Sequence, residues 1–339
     1  MTIQDVADEA GVSIATVSRV LNNHSVRKDS LEKVERAIEK LNFIPNALAQ
    51  GLMHKMSKTM GTLITSMTNA YYMEITEVIE KRLWEKESML FLCSTDGDRK
   101  QEKKYLESLA ARQVDGIIMI DPTIENFNNG LYGRIARRLP LVLIHSFPEI
   151  SGLNSVTIDQ NLGMEKVMKY LFDKNHRNIG FLRGFHGHSF DIKETCWRSF
   201  LENRGFPPAP DQLIVISAGN TDNAIIQAKE ACIKVLSQPS KHRPSSIFAC
   251  NDLMALGAIA AAHSLGLDIP GELSVIGHDN TNLTLSSMPQ MSTVDLKLSS
   301  IGNAAVDLLF HAMNPDDTEP RRIILEPELV IRGSSGEYQ

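Results

Sequence analysis

Residues 11–23 read GVSIATVSRVLNN, and the fold of the N-terminal end turns on how this stretch is read. Glycine takes the left-handed conformation without penalty, so Gly11 ends a helix that precedes it. Ser13 is a favourable N-cap, and residues 14–21 then make about two helical turns before Asn22-Asn23 stops them. The outward side of that helix is modest: small and polar groups with one arginine, Arg19. A helix built for catalysis would gather several titratable groups, and this one does not.

Working outward, Thr2 and Asp5 have the T-x-x-D spacing of a capping box, which opens a short helix running to about Ala10. Downstream, Leu31, Val34, Ile38 and Leu41 recur at steps of three and four and predict a third helix from about Asp29 to Leu41. Three short helices with a tight glycine turn between the first two describe a helix-turn-helix unit. Val12, Val17, Val20 and Leu21 can pack on the other two helices. Ile14, Ala15, Ser18 and Arg19 then share the outer face. In a major groove, arginine pairs bidentately with guanine and small apolar groups touch the thymine methyl. The hydroxyls of Ser13, Thr16 and Ser18 suit phosphate oxygens. A solvated helical hairpin explains the same pattern equally well, so the helices alone leave both readings open.

The charge total does not favour DNA. The 339 residues carry a net −6. Residues 1–57 hold seven Lys/Arg and seven Asp/Glu, so the rest of the chain carries the whole −6. A DNA role therefore rests on where charges point, not on their sum. Hydrophobic residues make up 42%, enough for a large core, and the length predicts two or three domains. No run of eighteen apolar residues suggests a membrane span. The N-terminus has no basic-then-apolar leader, which predicts a cytoplasmic protein. Cys93, Cys196, Cys232 and Cys250 form no CxxC pair and read as reduced thiols.

Residues 43–61, FIPNALAQGLMHKMSKTMG, read as a linker. Pro45 can begin a helix but not continue one, and residues 46–52 predict a marginal helix ordered on binding. From Gly61 the pattern changes. The apolar runs TLITSM, MLFLCS, GIIMI, PLVLIH, NIGFL, LIVI, SIFAC and LSVIGH alternate with amphipathic helices. This is βαβ alternation, and there are enough strands for two similar parallel-sheet subdomains. Ligands in such sheets sit outside the carboxyl ends of the strands. Asn251, after SIFAC, is an N-cap or a ligand contact, or both. Asp279 stands just past LSVIGH in the same kind of place.

Nothing in the chain spells out catalysis. There is no P-loop, no GxSxG and no carboxylate pair at acid–base spacing. Gly180, Gly184 and Gly187 do not have dinucleotide-binding spacing. His176, His186, His188 and Asp191 lie in a glycine-rich stretch with no HExxH or cysteine pairing, so a surface or ligand-lining loop is the expected reading rather than a metal site. The expectation is a non-enzyme with no cofactor and no metal.

Four stretches together resemble the LacI/GalR family of bacterial transcription regulators: TIQDVADEAGVSIATVSRVLNN, FIPNALAQGL, SIFACNDLMALGA and LSVIGHDN. The resemblance covers essentially the whole chain in order. It implies an all-α helix-turn-helix headpiece (1–44), a hinge helix and linker (45–59), and an α/β core like that of periplasmic sugar-binding proteins. It divides that core into an N-subdomain (60–158 and 292–321) and a C-subdomain (159–291 and 322–339). It further implies a homodimeric repressor on a pseudo-palindromic double-stranded operator. Carried over residue by residue, Ile14 and Ala15 read bases and Arg19 reads guanine. Thr2, Ser13, Thr16, Ser18, Asn22 and Ser30 hold phosphates. Leu52 wedges into the central base step with Asn46 and Ala49 in support.

The same resemblance implies an effector site between the subdomains, lined by Tyr71, Tyr72, His145, Arg183, Asn251, Asp279 and position 196. The family pattern R-x-x-G-F there reads CWRSF, so Cys196 stands where an arginine is usual, with Arg183 or Arg198 as substitutes. The loop 217–220 lacks the aromatic that stacks on ligand in several relatives, and Arg27 stands where a Ser or Thr often caps the third helix. The expected effector is a sugar or sugar derivative. Tandem tyrosines keep a purine or nucleoside as an alternative, and the missing arginine keeps a protein coregulator. A sugar receptor without DNA activity is the remaining rival.

Overall fold

The computed structural model describes residues 1–22, 24–44, 56–147, 152–221, 223–317 and 319–338. The chain divides into two compact units, Met1–Lys58 and Thr59–Gln339.

In the first unit, α1 (Ile3–Ala10), α2 (Ile14–Leu21) and α3 (Lys28–Leu41) form the predicted three helices. Thr2 and Asp5 close the capping box reciprocally, and Gly11 ends α1 in the left-handed region at φ 64°. Ser13 caps α2 by accepting from the Thr16 N–H at 3.2 Å. Arg27 does occupy the N-cap of α3 and makes no side-chain cap bond. Val6, Ala7, Ala10, Val17, Val34, Ala37 and Phe43 fill the small core, with Val12, Val20 and Leu21 packed at its edge. Of the linker positions expected to meet DNA, Asn46, Ala49 and Leu52 lie outside the described residues.

The second unit alternates strand and helix. It opens with β1 (Thr59–Ile64), α4 (Ala70–Glu85), β2 (Met89–Ser94), α5 (Arg99–Ala111), β3 (Gly116–Ile120), α6 (Ile124–Asn128), α7 (Leu131–Ala136), β4 (Leu141–His145) and β5 (Asn154–Ile158). There follow α8 (Gln160–Asp173), β6 (Ile179–Gly184), α9 (His188–Glu202), β7 (Leu213–Ile216), α10 (Asn223–Leu236), β8 (Ser246–Ala249), α11 (Asp252–Ser264), β9 (Ser274–Asp279), α12 (Leu283–Ser286) and β10 (Ser292–Asp295). The chain ends with α13 (Leu298–Met313), β11 (Arg322–Leu325) and β12 (Glu328–Val330). Two six-stranded sheets result, ordered β11-β5-β4-β3-β1-β2 and β12-β10-β9-β8-β6-β7. Every strand pair is parallel except β10–β12. The strand order reverses beside β1 and beside β6, which opens a crevice at the carboxyl ends there.

Sheet membership corrects two expected boundaries. β10 pairs with β9, Ser292 opposite Ile276, so it belongs to the C-subdomain although the boundary at 291/292 gave it to the other. β11 pairs with β5, Arg322 opposite Ser155, so it belongs to the N-subdomain although the boundary at 321/322 placed it in the C-subdomain. The chain crosses after Ile158, between Asp295 and Leu298, and between Leu325 and Glu328. Short polar strands such as STVD carry no decisive period of their own; the neighbour they bond to decides their place. For the same reason β5, β10, β11 and β12 go unnoticed in the sequence. β1 begins earlier than expected because Gly61 does not end it: a Cβ there would meet the Leu109 side chain at 2.6 Å, so α5 packs directly over the strand.

β3, β4, β6, β8 and β9 are buried along their whole length, as parallel strands covered on both faces must be. One continuous apolar cluster takes in side chains of both sheets, from Ile118 and Val142 to Phe181 and Phe248.

Candidate functional site

The outer face of α2 is built as its sequence predicts. Val17 is fully buried and Ile14 is 43% exposed. Ala15 and Arg19 are exposed, and Thr16 and Ser18 are half-buried beside them. Arg19 forms no ion pair among the described residues, so its guanidinium projects with all five donors available. The hydroxyls of Ser13 and Thr16 lie 2.9 Å apart, and the Asn22 amide donates to the Ser18 carbonyl at 2.8 Å. Thr2 is exposed at the start of α1, and Ser30 is half-buried in the first turn of α3. The face is short, firmly capped at its N-terminus, and carries one cation among small groups.

The second site lies at the crevice in the core. Tyr71 and Tyr72 at the start of α4, His145 at the end of β4, Asn251 after β8 and Asp279 at the end of β9 line one cavity. Asp121, Gln160, Lys193, Asn220 and His278 line it with them. The enclosed void is small, about 50 Å³. The Tyr72 hydroxyl donates to Asp121 Oδ2 at 2.9 Å, and its ring meets Tyr71 edge-on at 5.1 Å. Neighbouring helix positions point in different directions, so the tandem tyrosines form no parallel clamp. Tyr72 is spent on Asp121, and Tyr71 is the ring left facing the cavity. Asn251 does both things expected of it in different atoms. Its Oδ1 caps α11 by accepting from Met254 N–H at 2.9 Å, while its Nδ2 donates to the Gly219 carbonyl at 2.8 Å.

Burial governs the electrostatics. It raises the carboxyls of Asp121 and Asp279 above the usual range, with Asp252 adding to the effect on Asp279. It lowers Lys193, and it pulls His145 down to about 4, helped by Arg322. His145 Nδ1 accepts from the Phe147 N–H at 2.9 Å, which leaves the hydrogen of the neutral ring on Nε2. Among the described residues that Nε2 is buried with no partner, as are Gln160 Oε1 and His278 Nε2. Asp121 and Asp279 also hold positive φ, 57° and 119°, a backbone state that non-glycine residues adopt at a cost and that clusters at ligand sites.

Two predicted positions do not join this group. Arg183 is 8% exposed, but its guanidinium is taken by Glu194 and Asp191, each at 2.6 Å, and by the Gly184 carbonyl at 2.9 Å. Cys196 points elsewhere, its Sγ 3.0 Å from Asn161 Oδ1. Arg198 also pairs with Glu194, so neither arginine substitutes in the cavity. The cation present is Lys193. It sits three residues before Cys196 on α9 but lines the cavity, which Cys196 does not. Asp121 was legible in the same way as Asp279, as an acid immediately after a buried strand. A larger cleft, about 720 Å³, opens by Arg137, Arg138, Asn154 and Asn314. It lies at the amino ends of β4 and β5, opposite the strands' carboxyl ends, and gathers none of the predicted residues. His176 stands apart too, its Nδ1 2.8 Å from the Ser245 hydroxyl and its Nε2 3.2 Å from the Gly336 carbonyl.

The comparisons with known proteins agree with this layout. Residues 2–46 match the model of bacterial regulatory proteins, lacI family, and residues 168–335 match a periplasmic binding protein-like domain. The chain is 32% identical over 338 residues to the HTH-type transcriptional repressor PurR of Pasteurella multocida, covering 98% of each. It is 33% identical over 340 residues to catabolite control protein A of Priestia megaterium, covering 99% of each. Among solved structures it resembles the lac repressor dimer bound to operator and the anti-inducer ONPF, with TM-score 0.82, 25% identity and 98% of each chain covered. It also shares the fold of the regulator CelR in complex with cellobiose, with TM-score 0.69, 22% identity and 98% and 99% coverage. With relatives this similar over its whole length, the chain belongs to the lacI family of bacterial regulatory proteins, DNA-binding transcriptional repressors rather than enzymes, which carry a ligand-binding core behind a helix-turn-helix.

Proposed function

We propose that this repressor's operator affinity is set by an uncharged polar effector, a sugar or sugar derivative, held in the cavity between the two core subdomains. The observation that carries this reading is the set of buried polar atoms without partners that line the cavity, His145 Nε2, Gln160 Oε1 and His278 Nε2. Buried polar groups are normally bonded, and three orphans at one crevice fit a ligand that supplies the missing partners. The fold shared with a cellobiose complex is in keeping with a carbohydrate. The exposed side of the Tyr71 ring supports a purine or nucleoside as the second reading.

On the DNA side, Ile14 and Ala15 touch base edges and Arg19 reads guanine. Thr2, Ser13, Thr16, Ser18, Asn22 and Ser30 hold phosphates. Asn46, Ala49 and Leu52 serve the minor groove. The active species is a homodimer in the cytoplasm on a pseudo-palindromic operator. Trp84 (72% exposed), Met89 (69%) and Phe91 (48%) support it: they leave an apolar surface on α4 and the edge strand β2, of the kind that a second copy covers. No helix among the described residues is long and apolar enough to cross a membrane.

Effector control is a population shift, limited by how differently the ligand binds the two core states. The test is a titration of fluorescent palindromic operator at two salt concentrations, with and without candidate effectors. Specific binding that weakens with salt and shifts with an effector is the expected result; operator binding indifferent to every sugar and nucleoside would refute effector control.

A further inference from the structure

Lys193 is 2% exposed and faces the cavity from α9. An ammonium has three N–H donors. One goes to the Cys250 carbonyl at 3.1 Å. His278 Nδ1 is 3.5 Å away, at the long end of hydrogen-bond distance, and also lies 3.1 Å from Asp279 Oδ1. Even with that long contact counted, one donor is unspent among the described residues. The carboxylates whose fields act on the ammonium, Asp279 and Asp121, lie more than 4.0 Å from its nitrogen. Both nevertheless line the same small void.

A buried ammonium held short of its counter-charges leaves desolvation uncompensated. An atom that accepts from Lys193 Nζ and donates to a carboxylate closes that gap, and a hydroxyl does both. Elsewhere on the wall, the His145 Nε2–H donor and the Gln160 Oε1 acceptor offer a second donor–acceptor pair. An anion would gain one cation and meet two carboxylates. An uncharged molecule with adjacent donors and acceptors satisfies both pairs.

We propose that Lys193 is the specificity-determining cation of this cavity. In place of an arginine at position 196, its ammonium holds an oxygen or ring nitrogen of an uncharged effector against Asp121 and Asp279. Lys193 and Asp279 belong to the C-subdomain and Asp121 to the N-subdomain, so the bridge spans the crevice and ties ligand binding to subdomain closure. The assignment rests on the reading that the effector binds in this cavity.

The experiment compares full-length wild type with Lys193→Met and Lys193→Gln, by thermal shift and calorimetry. The probes are D-glucose, D-ribose, adenosine, hypoxanthine and D-glucose 6-phosphate. The expected result is that one of the four uncharged probes stabilises wild type and loses about tenfold or more in affinity in both variants. Circular dichroism of the variants is unchanged, and the phosphate ester gives no shift. The glutamine variant decides if the methionine variant does not fold. A probe that binds wild type and variant within twofold removes Lys193 from the site and leaves the cavity reading intact. No response of wild type to any probe refutes the cavity reading itself, and Lys193 falls with it. Glucose 6-phosphate binding more tightly than glucose overturns the charge argument.

Discussion

At the scale of single residues, each of the two proposed sites turns on one or two side chains. Arg19 is the one cation on the outer face of α2. Arg19→Ala is expected to cost about 1–3 kcal/mol at one base pair per half-site, measured as operator affinity against a set of single-base variants; a loss spread evenly over all sequences would contradict base reading. His145 offers a test of burial. Its folded pKa, about 4, lies below the ordinary value near 6.5. Between those values the unfolded chain takes up a proton that the folded protein refuses. His145 therefore favours folding above pH 6.5, and stability drains away as pH falls toward 4, by up to ~1.4 kcal/mol per pH unit. Asp252, raised by burial to about 7, acts in the opposite direction over much of that range, so the informative quantity is a difference. His145→Gln is expected to gain on wild type as pH drops from 6.5 to 4 in denaturant melts. A constant gap between the two would show that His145 is not buried neutral. Arg19 was legible because a helix face follows from period alone. Lys193 was not, because which side of α9 meets the crevice depends on a sheet order that no local pattern encodes.

At the scale of elements, caps and close packing decide. Ser13 satisfies one orphan N–H of α2, so Ser13→Ala is expected to destabilise the headpiece by about 1 kcal/mol, read from its own melting transition; an unchanged melt would mean that the cap bond is not made in solution. In the core, α10 and α11 approach through Gly257. A Cβ there would lie 2.5 Å from both Ala228 Cβ and the Ile225 carbonyl oxygen. A backbone oxygen cannot step aside as a side chain does, so Gly257→Ala is expected to force the helices apart at about 1–3 kcal/mol. Denaturant unfolding checks this, and wild-type stability in the variant would show that the pair yields at no cost. These elements were readable in advance where capping chemistry or a strong apolar run marked them, as in GVSIATVSRVLNN and GIIMI. The polar strand STVD and the short RIIL and ELV were not, since pairing with a neighbouring strand, not their own composition, makes them strands.

For the whole molecule, the proposed homodimer makes DNA affinity depend on two copies acting together. Trp84→Glu with Phe91→Glu is expected to weaken the homodimer without unfolding the core, because both side chains stand substantially exposed. Sedimentation would show monomer and operator affinity would fall together; a variant that stays dimeric would move the interface elsewhere. The sequence by itself determined a helix-turn-helix, its outward residues, a two-part α/β core and the family, because each of these is written in local signals: caps, helical period, apolar runs and motif order. The tertiary structure alone decided which strands belong to which subdomain and which charged side chains join the tyrosines, His145 and Asn251 in the crevice. It turned Arg183 away onto Asp191 and Glu194, left Cys196 at Asn161, and brought Lys193 to Asp121 and Asp279. Lys193 and its two acidic neighbours come from chain segments more than seventy residues apart, joined by parallel pairing across a reversal in strand order, and contacts of that kind leave no period in the sequence from which to read them.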